Sequence, residues 1–342
     1  MSEEALAIDA KRVEIIEGCT PASIPAWVFA SNKPLVLKGL VNRWPVVSAA
    51  HQSAESAFDY ICRFYNNELV NAALGNPDNT GDIFYNADLS GFTYQRQRLR
   101  LDSVLEHIKK LASAGSTQAC YVDSAPVDYC LPGFRTENDL NLTELKPRVS
   151  IWMGNKTRVY AHHDIPENIA CVVAGKRRFT LFPPEQLANL YIGPLDFNPA
   201  GPAISMVDIQ QPDFEKFPRY RTALKHAQVA ELEQGDAIYI PGMWWHQVEG
   251  LENFNVLVNY WWTTTPEYCG SPLDAFNHAL MSIKSLPEHQ RNSWRELFDY
   301  YIFSSTPEQF SHIPPERLGV LGDIDETIVR RMRALLLSRL NR

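Results

Sequence analysis

Between residues 119 and 262, apolar positions come in short runs rich in Val, Ile, Phe, Tyr and Trp, many alternating with polar residues and all separated by turn-forming residues. Alternation at period two puts successive side chains on opposite faces of a strand. It predicts strands at 119–122, 149–153, 158–163, 169–174, 177–182, 229–232, 237–240 and 255–262. Roughly eight antiparallel strands in such a span suit a jelly roll, two sheets closed into one barrel. Gly175-Lys176 separates two of the runs closely enough to predict a hairpin. Residues 191–225, with five prolines and little alternation, interrupt the barrel as a long insertion of a kind that often forms a lid.

Outside this span the period lengthens. Ala57, Phe58, Ile61, Phe64 and Tyr65 recur at helical spacing, as do Val104, Leu105, Ile108 and Leu111 behind a Ser103/Glu106 capping box. A short helix and a strand at 35–37 come earlier, and the polar, Gly/Asn-rich stretch 76–91 reads as a loop or hairpin. After Pro266 helices are expected at 273–286, at 294–303 behind a second capping box (Ser293/Glu296), and at 326–340. In the last, Ile328, Val329, Met332, Leu335, Leu336 and Leu340 form an apolar stripe that either the chain's own barrel or a second copy, as a homodimer, must cover. The expected organisation is mainly β with α: an N-terminal α/β extension (1–118), a jelly-roll catalytic core (119–265) and a C-terminal helical segment (266–342).

Composition narrows the function classes. Of 342 residues, 45% are hydrophobic and 21% charged, which describes a globular chain rather than a disordered one. A net charge of −8 lacks the basic footprint that tracks a phosphate backbone, so nucleic acid is a disfavoured partner. No apolar run is long enough to span a bilayer, and the acidic start does not resemble a signal peptide. Six cysteines are scattered without a CxxC pair, which predicts free thiols and a reducing, cytoplasmic location.

The chemistry concentrates in two stretches. In Ala161-His162-His163-Asp164, His162 and Asp164 lie two apart and project from one face of a strand, while His163 points away. In Tyr239-Ile240-Pro241-Gly242-Met243-Trp244-Trp245-His246, a turn precedes a third candidate ligand, His246. Two imidazoles and one carboxylate brought together make the facial triad that holds non-haem Fe(II) with open coordination positions. Lys176, Arg177 and Arg178 are each candidates for holding an acidic cosubstrate. Trp261, two from Asn259, is expected to share its inward face and shape the pocket. Tyr85 and Tyr94 read as ordinary loop anchors.

These stretches, with Gly175-Lys176-Arg177-Arg178-Phe179-Thr180-Leu181-Phe182-Pro183-Pro184, Asp213-Phe214-Glu215-Lys216-Phe217-Pro218, Gly235-Asp236 and Val258-Asn259-Tyr260-Trp261, carry a resemblance. The chain resembles the JmjC-type, cupin-like 2-oxoglutarate oxygenases, and within them the branch of the factor-inhibiting-HIF asparaginyl hydroxylase and the tRNA wybutosine hydroxylase. The resemblance implies Fe(II) on His162, Asp164 and His246, with 2-oxoglutarate and O2 filling the open positions. It implies that Arg177 stands where the family has its cosubstrate lysine, that Tyr121 shares the same carboxylate, and that Asn168 and Asn259 are inward-facing amides. One departure is Val159, where relatives have a threonine three residues before the first ligand. The function so implied is a dioxygenase that hydroxylates a C–H bond and releases succinate and CO2. A protein or peptide side chain is the leading substrate class, ahead of a small molecule or RNA. A non-redox metal cupin and a metal-free binding scaffold are the rival readings.

Overall fold

A computed structural model describes residues 10–199 and 201–341. The chain forms two compact units, one ending at Trp262 and the other beginning at Thr263. The first is built on fifteen strands: β1 Lys11–Arg12, β2 Glu14–Ile16, β3 Leu35–Leu37, β4 Leu69–Gly75, β5 Asp82–Ile83, β6 Tyr94–Arg100, β7 Cys120–Pro126, β8 Arg148–Gly154, β9 Arg158–His163, β10 Glu167–Ala174, β11 Lys176–Phe182, β12 Gln228–Glu233, β13 Ala237–Ile240, β14 Trp245–Gly250 and β15 Asn255–Trp262. They make a six-stranded sheet ordered β1-β12-β11-β14-β9-β5 and a nine-stranded sheet ordered β2-β3-β13-β10-β15-β8-β7-β4-β6. The consecutive strands β12-β11-β14-β9 and β13-β10-β15-β8 are antiparallel throughout. They are the two four-stranded halves of a jelly roll.

The expected hairpin at Gly175 is not one. β10 belongs to the nine-stranded sheet and β11 to the six-stranded sheet, so Gly175 is the corner at which the chain changes sheets. Its φ of +73° is in the left-handed region, and a Cβ there would collide with the Phe254 carbonyl oxygen and come within 2.6 Å of Asn255 Oδ1. Three strands on which the site depends, β4, β6 and β14, were not expected.

The N-terminal segment extends the nine-stranded sheet at both ends: β2 and β3 beyond β13, β4 and β6 beyond β7. Helices Pro45–Gln52, Ala54–Cys62 and Leu101–Ser113 cover the outer face of that sheet, where Val46, Ile61, Leu101 and Leu105 pack with Ile151, Cys171 and Val258. The helix Leu101–Ser113 starts two residues before Ser103, and the expected capping box is absent. Leu101 is fully buried, its N–H donates to the Tyr65 hydroxyl at 3.0 Å, and Asp102 takes the Ser103 N–H. The insertion after Tyr191 is packed: Val207, Ile209 and Tyr220 bury against Phe182 and Trp245 on the outer face of the six-stranded sheet. Tyr85 and Tyr94 are anchors, donating to the carbonyls of Phe197 and Pro199.

In the second unit, helices span Pro272–Ile283, Glu288–Phe298 and Glu326–Leu340. The middle helix begins earlier than expected, and Ser293, inside it, donates to the His289 carbonyl instead of capping. Along the apolar stripe of the last helix Ile328 and Val329 are half-buried, whereas Met332, Leu335, Leu336 and Leu340 are exposed. Among the described residues, no helix is long and apolar enough to cross a membrane.

Candidate metal and cosubstrate site

β14 pairs with β9 so that His246 faces His162 and Trp245 faces His163. The side-chain period of two then decides everything locally: His162 and His246 turn into the barrel, and His163 turns out to meet Trp245 edge-on at 4.4 Å. Asp164 follows β9 directly. Ligand atoms of His162, Asp164 and His246 all lie within 4.8 Å of one another, with His246 Nε2 at 3.6 Å from Asp164 Oδ2.

Both imidazoles are oriented in the same way. His162 Nδ1 lies 2.8 Å from the Tyr160 carbonyl and His246 Nδ1 lies 2.9 Å from the Trp244 carbonyl. A carbonyl only accepts, so each Nδ1 carries the proton and each Nε2 presents a lone pair, the tautomer a metal requires. Burial, together with His162, pushes the His246 imidazole down to about 4. It is therefore neutral, as a ligand must be.

The turn before His246 explains a local oddity of sequence. The residue in the left-handed conformation is Met243, at φ +70°. Gly242 is needed for a different reason: a Cβ there would lie 2.5 Å from the Ile165 carbonyl oxygen. Met243 N–H donates to the Asp164 carbonyl at 2.7 Å, which couples the turn to the segment carrying the carboxylate.

His162, Asp164, His246, Tyr121, Asn168, Arg177, Asn259 and Trp261 all line one cleft inside the barrel, whereas Lys176 and Arg178, the other two candidates for the cosubstrate, do not. Opposite the triad sits Arg177, 3% exposed, with the Tyr121 hydroxyl beside it and no carboxylate partner among the described residues. Burial works against the guanidinium's charge, a cost that an anion beside it would offset, and it raises the Tyr121 phenol's affinity for its proton, which keeps the hydroxyl a donor. Lys176 and Arg178 instead turn toward Glu231, at 3.5 and 3.0 Å. Alternation along β11 thus turns Arg177 into the cleft and its two neighbours away from it. Arg177 Nε, Asn168 Oδ1 and Trp261 Nε1 are buried without hydrogen-bond partners. Unpaired buried polar atoms are costly, and three around one cleft fit a polar ligand. Asn259 gives its oxygen to the Trp152 indole N–H at 2.8 Å, which leaves its NH2 as the half free for a ligand.

Val159 also lines the cleft, and among the described residues no serine or threonine does. Sequence reasoning missed Asn71, Arg96, Asp123 and Trp152 in the wall. Asp123 had one available signal, its place two residues after Tyr121. Arg96 and Asn71 had none, because their strands reach the barrel only through tertiary pairing.

The description "cupin-like domain" matches residues 21–268. The chain belongs to that family. Among curated relatives of this cupin-like chain, lysine-specific demethylase JMJ31 of Arabidopsis thaliana is 34% identical over 115 residues, 33% of this chain and 20% of that protein. The tRNA wybutosine-synthesizing protein 5 of Gallus gallus is 29% identical over 150 residues, 40% of this chain and 44% of that protein. Lysine-specific demethylase 8 of Xenopus tropicalis is 24% identical over 242 residues, 68% of this chain and 48% of that protein. The chain thus spans less than half the length of each of these relatives.

Proposed function

We propose that this protein is an Fe(II)- and 2-oxoglutarate-dependent dioxygenase that hydroxylates a C–H bond, with a protein or peptide side chain as the leading substrate. The observation that carries the reading is the pairing, across one cleft, of a 2-His-1-carboxylate cluster with a buried guanidinium that has no carboxylate of its own. The donor set, two nitrogens and one oxygen, suits Fe(II) and leaves positions open. A cupin that uses its metal for non-redox chemistry would need no cation for a dicarboxylate cosubstrate. Relatives named for demethylation and for tRNA modification support an enzyme of this chemistry and leave the substrate to be found.

Iron with 2-oxoglutarate and O2 supplies oxidative decarboxylation to succinate and CO2 coupled to oxygen insertion into a C–H bond. This chain's residues do the rest. The Tyr160 and Trp244 carbonyls hold both imidazoles in register. Arg177 and Tyr121 would take the far carboxylate of the cosubstrate, the guanidinium by charge-assisted hydrogen bonds. Asn168 and the Asn259 NH2 offer further polar contacts, while Trp152 and Trp261 pack edge to face at 5.7 Å in the wall beside them. Val159 contributes packing where a hydroxyl would have added a contact.

The test is succinate production from 2-oxoglutarate with Fe(II) and O2, compared with Asp164→Ala. Triad-dependent succinate is expected, with metal affinity falling more than about 100-fold in the variant, beyond what loss of a supporting contact costs. Absence of turnover together with absence of anaerobic 2-oxoglutarate binding to the Fe(II)-loaded protein would overturn the reading.

A further inference from the structure

We propose that Asp123 selects the substrate, and that the group it receives is a positively charged side chain, an ammonium or a guanidinium, presented on a peptide. The proposal rests on the oxygenase reading for its chemistry, but its observations are separate. Asp123 lines the same cleft as the triad, two residues beyond Tyr121 on β7 and therefore on the same inward face. Directly after it the ladder between β7 and β8 loses register between Val122 and Ala125, and Ser124 adopts φ +43°. Val122 and Ala125 both pack outward into the helical core, so Ser124 is the extra residue. Bulges of this kind re-aim side chains beside active sites. This one leaves the Asp123 carboxylate facing the cleft.

That carboxylate is poorly satisfied. No hydrogen bond to it is made among the described residues, and its one ion pair is loose, Arg96 at 3.8 Å. Arg96 does not close on it because the same guanidinium nitrogen donates to the Pro199 carbonyl at 2.5 Å. Burial raises the Asp123 carboxyl's affinity for a proton, opposed only in part by Arg96, His162 and Arg148. A carboxylate held so, with its lone pairs toward an open cleft, gains most from N–H donors on a ligand, and charge-assisted donors give about twice the energy of neutral ones. The net charge of −8 favours the approach of a basic peptide for the same reason.

The experiment loads the full chain with Mn(II) and 2-oxoglutarate and titrates Gly-Gly-Xaa-Gly-Gly peptides with Lys, Arg, Gln or Glu at Xaa, read by indole fluorescence and thermal shift. The Lys or Arg peptide is expected to bind about tenfold tighter than the Gln and Glu peptides. Asp123→Glu should keep that order, Asp123→Asn should reduce it to within about twofold, and Asp123→Lys should turn it toward the Glu peptide. Arg96→Gln, which removes the competing cation, should strengthen binding of the basic peptides. Equal binding of all peptides, binding of none, or a basic preference that survives in both Asp123→Asn and Asp123→Lys would overturn the proposal. Peptide order is measured with and without 2-oxoglutarate, so failure of cosubstrate binding counts against the oxygenase reading alone.

Discussion

Two faces of the nine-stranded sheet treat buried polar groups in opposite ways. On the outer, helix-covered side, Asn138 is fully buried and fully used: its oxygen takes the Val46 N–H, and its NH2 donates to the Phe134 carbonyl and the Tyr60 hydroxyl, each at 3.0 Å. At the barrel's edge, Asp236 accepts from Lys38 Nζ, Gly39 N–H and Glu233 N–H at 2.8 to 3.1 Å. Inside the barrel, Asn168 and Trp261 on this sheet and Arg177 on the facing six-stranded sheet keep orphaned atoms, and the half-buried Asp123 has no hydrogen bond among the described residues. The same desolvation penalty applies on both sides. Arg135 Nε and His163 Nδ1 are also unpaired away from the cleft, so it is the gathering of several such groups around one cleft, not a single orphaned atom, that fits a ligand.

The largest effect that sharpens this contrast should come from Arg177→Leu. It is expected to weaken 2-oxoglutarate binding by about 2–4 kcal/mol, roughly 30- to 1000-fold, by calorimetric titration. Stability in urea should be unchanged or higher, because an unpaired buried cation is replaced by an apolar side chain. A large loss of stability would break the comparison. Asn138→Ala should do the reverse. It strands three partners, so unfolding in urea should become easier by about 2 kcal/mol or more, while cosubstrate affinity stays put.

Smaller effects probe the same boundary. Val159→Thr adds an aliphatic hydroxyl to a wall that, among the described residues, has no serine or threonine, and a gain of about 1 kcal/mol in 2-oxoglutarate affinity is expected. No change would mean that Arg177 and Tyr121 already saturate the carboxylate. Smallest is Met243→Gly, which relieves a left-handed non-glycine residue and should raise stability by up to about 1 kcal/mol in thermal unfolding, with the triad geometry intact.

Period-two alternation made the barrel legible: β9, β13 and β15 lie at the residues where the pattern placed them. The clustering of His162, Asp164 and His246 was legible in part because Asp164 lies two residues after His162, directly beyond the end of β9, so the spacing alone puts the two side chains on one side. Less legible were the points at which a residue serves a distant partner. Gly175 reads locally as a turn, yet it is a corner because its two strands find different sheets. Ser103 and Ser293 fit capping boxes by type and spacing, but burial of Leu101 and the earlier start of Glu288–Phe298 moved the helix ends.

The sequence by itself determined which residue types meet along each strand: two histidines and an aspartate with the right alternation, and a cluster of cations on β11. Only the tertiary structure decided that Arg177 rather than Lys176 or Arg178 faces the cleft, and that Asp123 and Arg96, from strands β7 and β6, meet at its wall. The physical reason is range. A strand's geometry fixes the direction of a side chain from its immediate neighbours, whereas its partner across a sheet depends on register and on which edges close, and no local pattern encodes those.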